Sequence, residues 1–251
     1  LPVVVPRLLR GLRDPSSSSA DFVEIIQHDP VLASSVIKLV NSVYYNPTGK
    51  TIDSFHRAVV ILGLDGLRFV ISGTVMQPII ESKSGEFPDF GRYMWTHALH
   101  TAVTTQLLAR RFGGDPFKAY LAGLVHDMGA VTLFNQYLHR HRDQAAGVPQ
   151  AGTLAELIET QGETLGVRIV RDWNLPAEIA SAIESQSAIR RGEPVEPLAG
   201  LLYLANHVSE AYLIRNESAL PDEPTPPELE ACVPGIDVFR ELDAMSALFE
   251  I

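Results

Sequence analysis

An intrachain disulfide is excluded, because the 251 residues contain a single cysteine, Cys232. One lone thiol fits a reducing compartment, and a cytoplasmic location is expected. Long apolar runs are also missing. None approaches the ~20 residues needed to span a bilayer, and the apolar opening Leu1–Pro6 is too short and too proline-bounded for a signal sequence. Positive charge is scarce, with 20 Lys+Arg against 30 Asp+Glu and a formal net charge of −10. A surface of that sign repels phosphate backbones and anionic lipid, so neither nucleic acid nor a membrane is an expected partner. The sequence has no Gly-x-Ser-x-Gly elbow, no phosphate-cradling loop and no dinucleotide fingerprint. Cys232 makes a poor nucleophile, since the acidic, proline-rich stretch from Pro221 to Pro234 disfavours a thiolate. The chain opens on Leu1 rather than Met, which leaves room for further domains upstream.

What is present is an ordinary globular composition, 46% hydrophobic and 20% charged, written almost entirely in helical periods. The four serines Ser16 to Ser19 precede a helical stretch from Ala20 to His28. Asp29-Pro30 then reads as a cap followed by a first-turn proline, opening a helix through Val40. A turn is expected around Asn46-Pro47-Thr48-Gly49, and Asp53 or Ser54 can cap a further helix that Gly63 closes. An apolar segment follows from Leu67 to Ile80. The polar stretch Glu81 to Pro88 separates two expected subdomains, 1–85 and 86–251. In the second, Tyr93 to Phe112 reads as one long helix stopped by Gly113-Gly114. Asp115-Pro116 starts another, which runs to His126-Asp127. Three more are expected: Leu154 to Trp173, Pro176 to Ile189, and Leu198 to Ile214. The segment Pro221 to Pro234 reads as a loop or linker.

The sharpest chemical feature is Leu124-Val125-His126-Asp127-Met128-Gly129, with His97 and His100 on the preceding long helix. Imidazole and carboxylate suit a borderline divalent metal. Two adjacent ligands at a helix end converge on one ion if a facing helix supplies a third, and His97 sits on such a helix. A lone His-Asp pair is more often hydrogen-bonded or solvated than ligating. His100 reads as a packing or surface residue. His28, His56, His139, His141 and His207 have no ligand-like companions in sequence, and Trp95 and Trp173 read as core or subdomain-contact residues.

Several motifs occur together in a recognisable order. They are Asp29-Pro30-Val31-Leu32, then Leu39-Val40-Asn41-Ser42-Val43-Tyr44-Tyr45, then Ala58-Val59-Val60-Ile61-Leu62-Gly63, Trp95-Thr96-His97, Ala122 to Gly129, and Trp173-Asn174-Leu175-Pro176. In these the chain resembles the HDOD (HD-related output domain) branch of the HD superfamily, over roughly residues 1 to 214. The resemblance implies an all-α, multi-helical HD-like bundle with an N-terminal helical subdomain. It also implies a role in bacterial signal transduction, with signalling proteins as partners and a second copy of the chain as a further candidate partner. Related branches are metal-dependent phosphohydrolases.

Carried over residue by residue, the resemblance places metal ligands at His97, His126 and Asp127. Further ligand positions fall on Gly162, on Gln186 and Ser187, and near Asn206, none of which carries charge or imidazole. A two-metal site is therefore not expected. The primary expectation is a non-catalytic module with a degenerate, vestigial metal site and no cofactor beyond, at most, one divalent ion (Fe, Mn, Mg or Zn). The alternative is a mononuclear phosphohydrolase in which Asp127 and His126 carry the chemistry. Asn41-Ser42 and Tyr44-Tyr45 resemble a family motif, but a polar-capped helix end is the favoured reading for them.

Overall fold

The structure is a computed structural model, and it describes Val23, Ile26, Pro30–Asn41, Asn46, Gly49–Glu81, Pro88–His141 and Ala151–Ser218. The expected helix from Ala20 to His28, the segment Pro221 to Pro234, Cys232, Ser42, Tyr44 and Tyr45 lie outside these residues, apart from Val23 and Ile26. Among the described residues the fold is all-α, without strands. The chain divides into two compact units: Gln77–Glu210 forms one, and the described residues on either side form the other.

In the flanking unit, α1 (Pro30–Val40) opens on its proline and buries Val36 and Val40. Asn41 then does structural work. Its amide nitrogen donates to the carbonyls of Ile37 (2.8 Å) and Ile52 (2.7 Å), and its amide oxygen accepts from the Ile52 N–H (2.8 Å). One side chain thereby closes the helix and clamps the approach to the next, each bond contributing about 1 kcal/mol. The polar-capped reading of Asn41 is the one observed. Helix α2 (Phe55–Ile80) starts as expected, with Ser54 Oγ accepting from the Arg57 N–H at 3.4 Å. Gly63 (φ 64°, ψ −173°) interrupts it, so the expected stop appears as a kink between two helical arms. This is the one described helix long and apolar enough to cross a membrane by composition, and half of its most apolar stretch is buried in the fold. It also carries the Arg68–Asp65 ion pair (3.5 Å).

The second unit builds the site. Helix α3 (Pro88–Phe112) begins a turn earlier than its apolar period suggests. Helix α4 (Pro116–Val125) has Asp115 as a true N-cap, accepting from the N–H groups of Phe117 (2.9 Å) and Lys118 (3.0 Å). Helix α5 (Met128–His141) has no counterpart in the sequence reading. It is followed by α6 (Ala151–Asp172), α7 (Ala177–Glu184), α8 (Gln186–Arg190) and α9 (Pro197–Ser218). Helix α3 packs on α4, α5 on α6, and α7 on both α4 and α6. The expected single helix from Pro176 to Ile189 is broken at Ser185. There the hydroxyl donates to the Ser181 carbonyl (2.7 Å), the same oxygen that accepts the Ser185 N–H (3.0 Å). Asn174, at φ 53°, takes the left-handed turn that ends α6, and Leu175 N–H closes back on the Val170 carbonyl. Trp173 is buried in the core, as expected; Trp95 is half-buried.

Candidate metal centre

Two backbone contacts set the site. Where α3 crosses α4, a Cβ on Gly123 would lie 2.5 Å from Ala102 Cα, so the two helices touch main chain to main chain. That crossing brings His97 on α3 opposite the end of α4. Helix α4 stops at Val125 and α5 starts at Met128, leaving His126 and Asp127 on the corner between them. Consecutive residues on a helix would diverge by about 100°; on this corner both side chains reach one point.

His97 Nε2 lies 3.2 Å from His126 Nε2 and 3.4 Å from Asp127 Oδ2, and His126 Nε2 lies 3.2 Å from the same carboxylate oxygen. Both rings are buried, and the Asp127 side chain is about one-third exposed. Asn206, on α9, adds its Oδ1 at 3.0 Å from His126 Nε2. The three sequence-predicted ligands therefore meet, and Asn206 meets them. An ion held at about 2.1 Å by N and O donors sets neighbouring donors about 3.0–3.4 Å apart, so this triangle has the size of one face of a single ion's coordination shell.

The outer nitrogens are oriented for that geometry. His126 Nδ1 faces the Gly123 carbonyl at 2.8 Å, which places a proton on Nδ1 and turns Nε2 inward. Burial opposes charge on this ring. The negative charge of Asp127 and its hydrogen bond, with the Gly123 and Asn206 oxygens, outweigh that and raise the imidazole above its ordinary value. Burial also pushes the Asp127 carboxyl upward, but the His126 charge and the hydrogen bond from its ring, with the neighbouring His97, hold it well below the usual carboxylate range. The cluster thus holds together either around a proton on His126 or around a cation.

Gln186 reaches the same cavity, but its amide nitrogen donates to the carbonyls of Ala182 (2.6 Å) and Ala199 (3.3 Å). Ser187 donates to Glu163 (3.1 Å). Gly162 lines the cavity, and a Cβ there would meet Ile158 Cγ2 at an ordinary 3.6 Å, so packing does not demand glycine at this position. The cavity, about 380 Å³, is also lined by Glu159, Glu163, Arg190, Tyr203 and His207. Sequence spacing missed these residues. Glu163 lies 36 positions beyond Asp127 in sequence, and His207 reads as isolated until α9 delivers it beside Asn206. There His207 packs on Tyr203, with ring centroids 4.1 Å apart.

His100, one turn beyond His97, is buried, and burial first, then the nearby His97 charge, lower its pKa to about 4. A depressed value means that the unfolded chain takes up the proton first as pH falls. His100 therefore contributes stability in full above about 6.5, and this is lost as pH drops toward 4, by up to about 3 kcal/mol. His126 titrates in the opposite sense, so the comparison must be with a variant. We expect the urea midpoint of His100→Asn to fall less steeply than wild type between pH 7 and 4.5; parallel slopes would contradict this.

The HDOD domain family model matches residues 1–189. An HDOD domain protein of unknown function from Geobacter sulfurreducens superposes with a TM-score of 0.66 at 23% identity, covering 99% of this chain and 90% of that one. A Shewanella amazonensis SB2B protein named as a candidate phosphohydrolase gives 0.69 at 22%, covering 99% and 91%. A second from that organism, named as a candidate metal-dependent phosphohydrolase, gives 0.68 at 19%, covering 99% and 90%. At these identities the likeness is one of fold. An uncharacterised protein of Treponema pallidum (strain Nichols) is 24% identical over 214 residues, which is 82% of this chain, and the chain spans only 41% of that relative's length. With the family model covering most of the sequence and its His and His-Asp motifs brought to one point, the chain belongs to the HDOD domain family.

Proposed function

We propose that this chain is a non-catalytic signal-transduction module, working through protein–protein or ligand-dependent contacts with signalling proteins, whose metal centre is reduced to a one-ion site. The observation that carries this reading is the fate of the remaining ligand positions. Gln186 spends its amide on two backbone carbonyls, Ser187 is tied to Glu163, Gly162 offers no side chain where one would fit, and Asn206 presents a neutral oxygen. An amide in place of a carboxylate at Asn206 removes Coulomb attraction where a divalent ion needs it. The cavity lining points the same way. Asp127, Glu159 and Glu163 outnumber Arg190, which already lies 3.5 Å from Glu163, so a phosphate ester entering the cavity meets net repulsion. The net charge of −10 supports a partner other than nucleic acid.

The test is turnover. With Mn²⁺, Mg²⁺, Fe²⁺ or Zn²⁺ present, we expect p-nitrophenyl phosphate and its bis ester to be hydrolysed no faster than in buffer with metal alone. Robust hydrolysis that disappears in both His126→Ala and Asp127→Ala would overturn the reading.

One observation favours the alternative, a mononuclear metal-dependent phosphohydrolase: the donor triangle suits one ion. His97 Nε2, His126 Nε2 and Asp127 Oδ2 would hold it, with Asn206 Oδ1 alongside. A divalent ion bound there would supply Lewis acidity and an acidified water. The chain's own part is to keep Nε2 of both rings turned inward, hold Asp127 ionised, and leave the cavity open on the Asp127 side.

A further inference from the structure

We propose that Ser209 is a positioning residue of this site, holding His97 in the ring orientation and tautomer that turn Nε2 toward Asp127 and His126. The inference rests on the one-ion reading and names a residue that neither the motifs nor the spacing singled out.

Ser209 is fully buried on α9, one turn beyond Asn206. Its Oγ lies 3.2 Å from His97 Nδ1 and 3.3 Å from the His97 carbonyl oxygen. A hydroxyl has one proton to give and lone pairs to receive. Donating to the carbonyl leaves Oγ free to accept from Nδ1–H, and a proton on Nδ1 leaves Nε2 as the lone-pair nitrogen. His126 is oriented in the same way by the Gly123 carbonyl at 2.8 Å. The two ligand rings thus have matching outer partners, one a main-chain oxygen and one a side chain. Two residues on one face of α9 serve the two rings: Asn206 reaches His126 and Ser209 reaches His97. A structural hydroxyl packed at random in a core would have no reason to bridge a ligand's outer nitrogen and that same residue's carbonyl.

Outer partners of ligating histidines are typically worth 10- to 100-fold in metal affinity. The test combines two readouts on wild type, Ser209→Ala and Ser209→Thr. The first is the His97 tautomer, read from imidazole ¹⁵N shifts in the metal-free protein. The second is Zn²⁺ affinity by calorimetry. We expect Nδ1–H in wild type, a shift toward Nε2–H in Ser209→Ala with about 10-fold weaker Zn²⁺ binding, and recovery of both in Ser209→Thr. An unchanged tautomer in Ser209→Ala overturns the assignment whether or not metal binds. A tautomer shift in Ser209→Ala alongside a wild-type chain that gives no heat with Zn²⁺ upholds Ser209 as the residue orienting His97 and sinks the one-ion reading instead.

Discussion

Gly129→Ala should destabilise the fold by several kcal/mol, on the order of a core overpacking, although the change adds one methyl group to a helix that alanine ordinarily favours. A Cβ on Gly129 would lie 1.9 Å from the Gly162 carbonyl oxygen and 2.7 Å from Gly166 N. Both contacts are to backbone, so no side chain can swing aside; α5 would have to lift off α6. Alanine's intrinsic gain over glycine is at most about 1 kcal/mol, whereas forcing a Cβ into main-chain contacts this short costs about 3 kcal/mol or more, at the severe end of overpacking. The steric term wins. The loss should also reach the site, because Gly129 follows the corner that carries His126 and Asp127 by only two positions. Thermal unfolding by circular dichroism checks this, with Gly162→Ala as the control. That Cβ would meet only ordinary contacts, so this variant should melt near wild type. A Gly129→Ala protein as stable as Gly162→Ala would show that the helices are not in main-chain contact.

Asp127→Asn should weaken divalent-ion binding by about 100-fold or more, because it removes the only formal negative charge among the four converging donors. It should also reverse the titration of His126. In wild type, burial is outweighed by the Asp127 charge and the ring lies above its ordinary value. Without that charge burial prevails and the ring falls below it. The stability consequence changes sign accordingly. A raised folded value contributes stability that is complete below about 6.5 and is lost as pH climbs through the folded value. The variant should instead lose stability as pH falls below about 6.5. Ion uptake by wild type must displace the His126 proton, so its affinity should rise with pH. Proton NMR of His126 in both proteins, with calorimetric titration at two pH values, measures each part. A His126 that titrates identically in the two proteins would contradict the pairing.

The helical class, the first-turn prolines of α1 and α4, the Asp115 cap and the His97, His126 and Asp127 cluster are all readable before any coordinates, because caps and ligand types are local chemistry. Helix α5 is not. It opens directly after the His126-Asp127 corner, and its stretch is punctuated by Gly129, Thr132 and Asn135. Packing holds it instead, through the Gly129 contact with α6 and the stacking of Phe134 on Phe90 at 3.6 Å between ring centroids. The break at Ser185 escaped for a related reason: whether a serine hydroxyl turns back on its own helix depends on the rotamer. The outer arrangement around the metal centre was illegible because Ser209 lies 112 positions from His97 and only the return of α9 joins them. His207 likewise became a cavity residue through the same helix.

The central claim is that this centre accommodates one divalent ion and lacks the means to hold two. Counting ions directly tests it, by titrating metal-free protein with Mn²⁺ and with Zn²⁺ and following heat to saturation. The account predicts one ion per chain, bound through His97, His126 and Asp127 and lost in Asp127→Ala. Two ions per chain, both released by substitutions at this cluster, would contradict it.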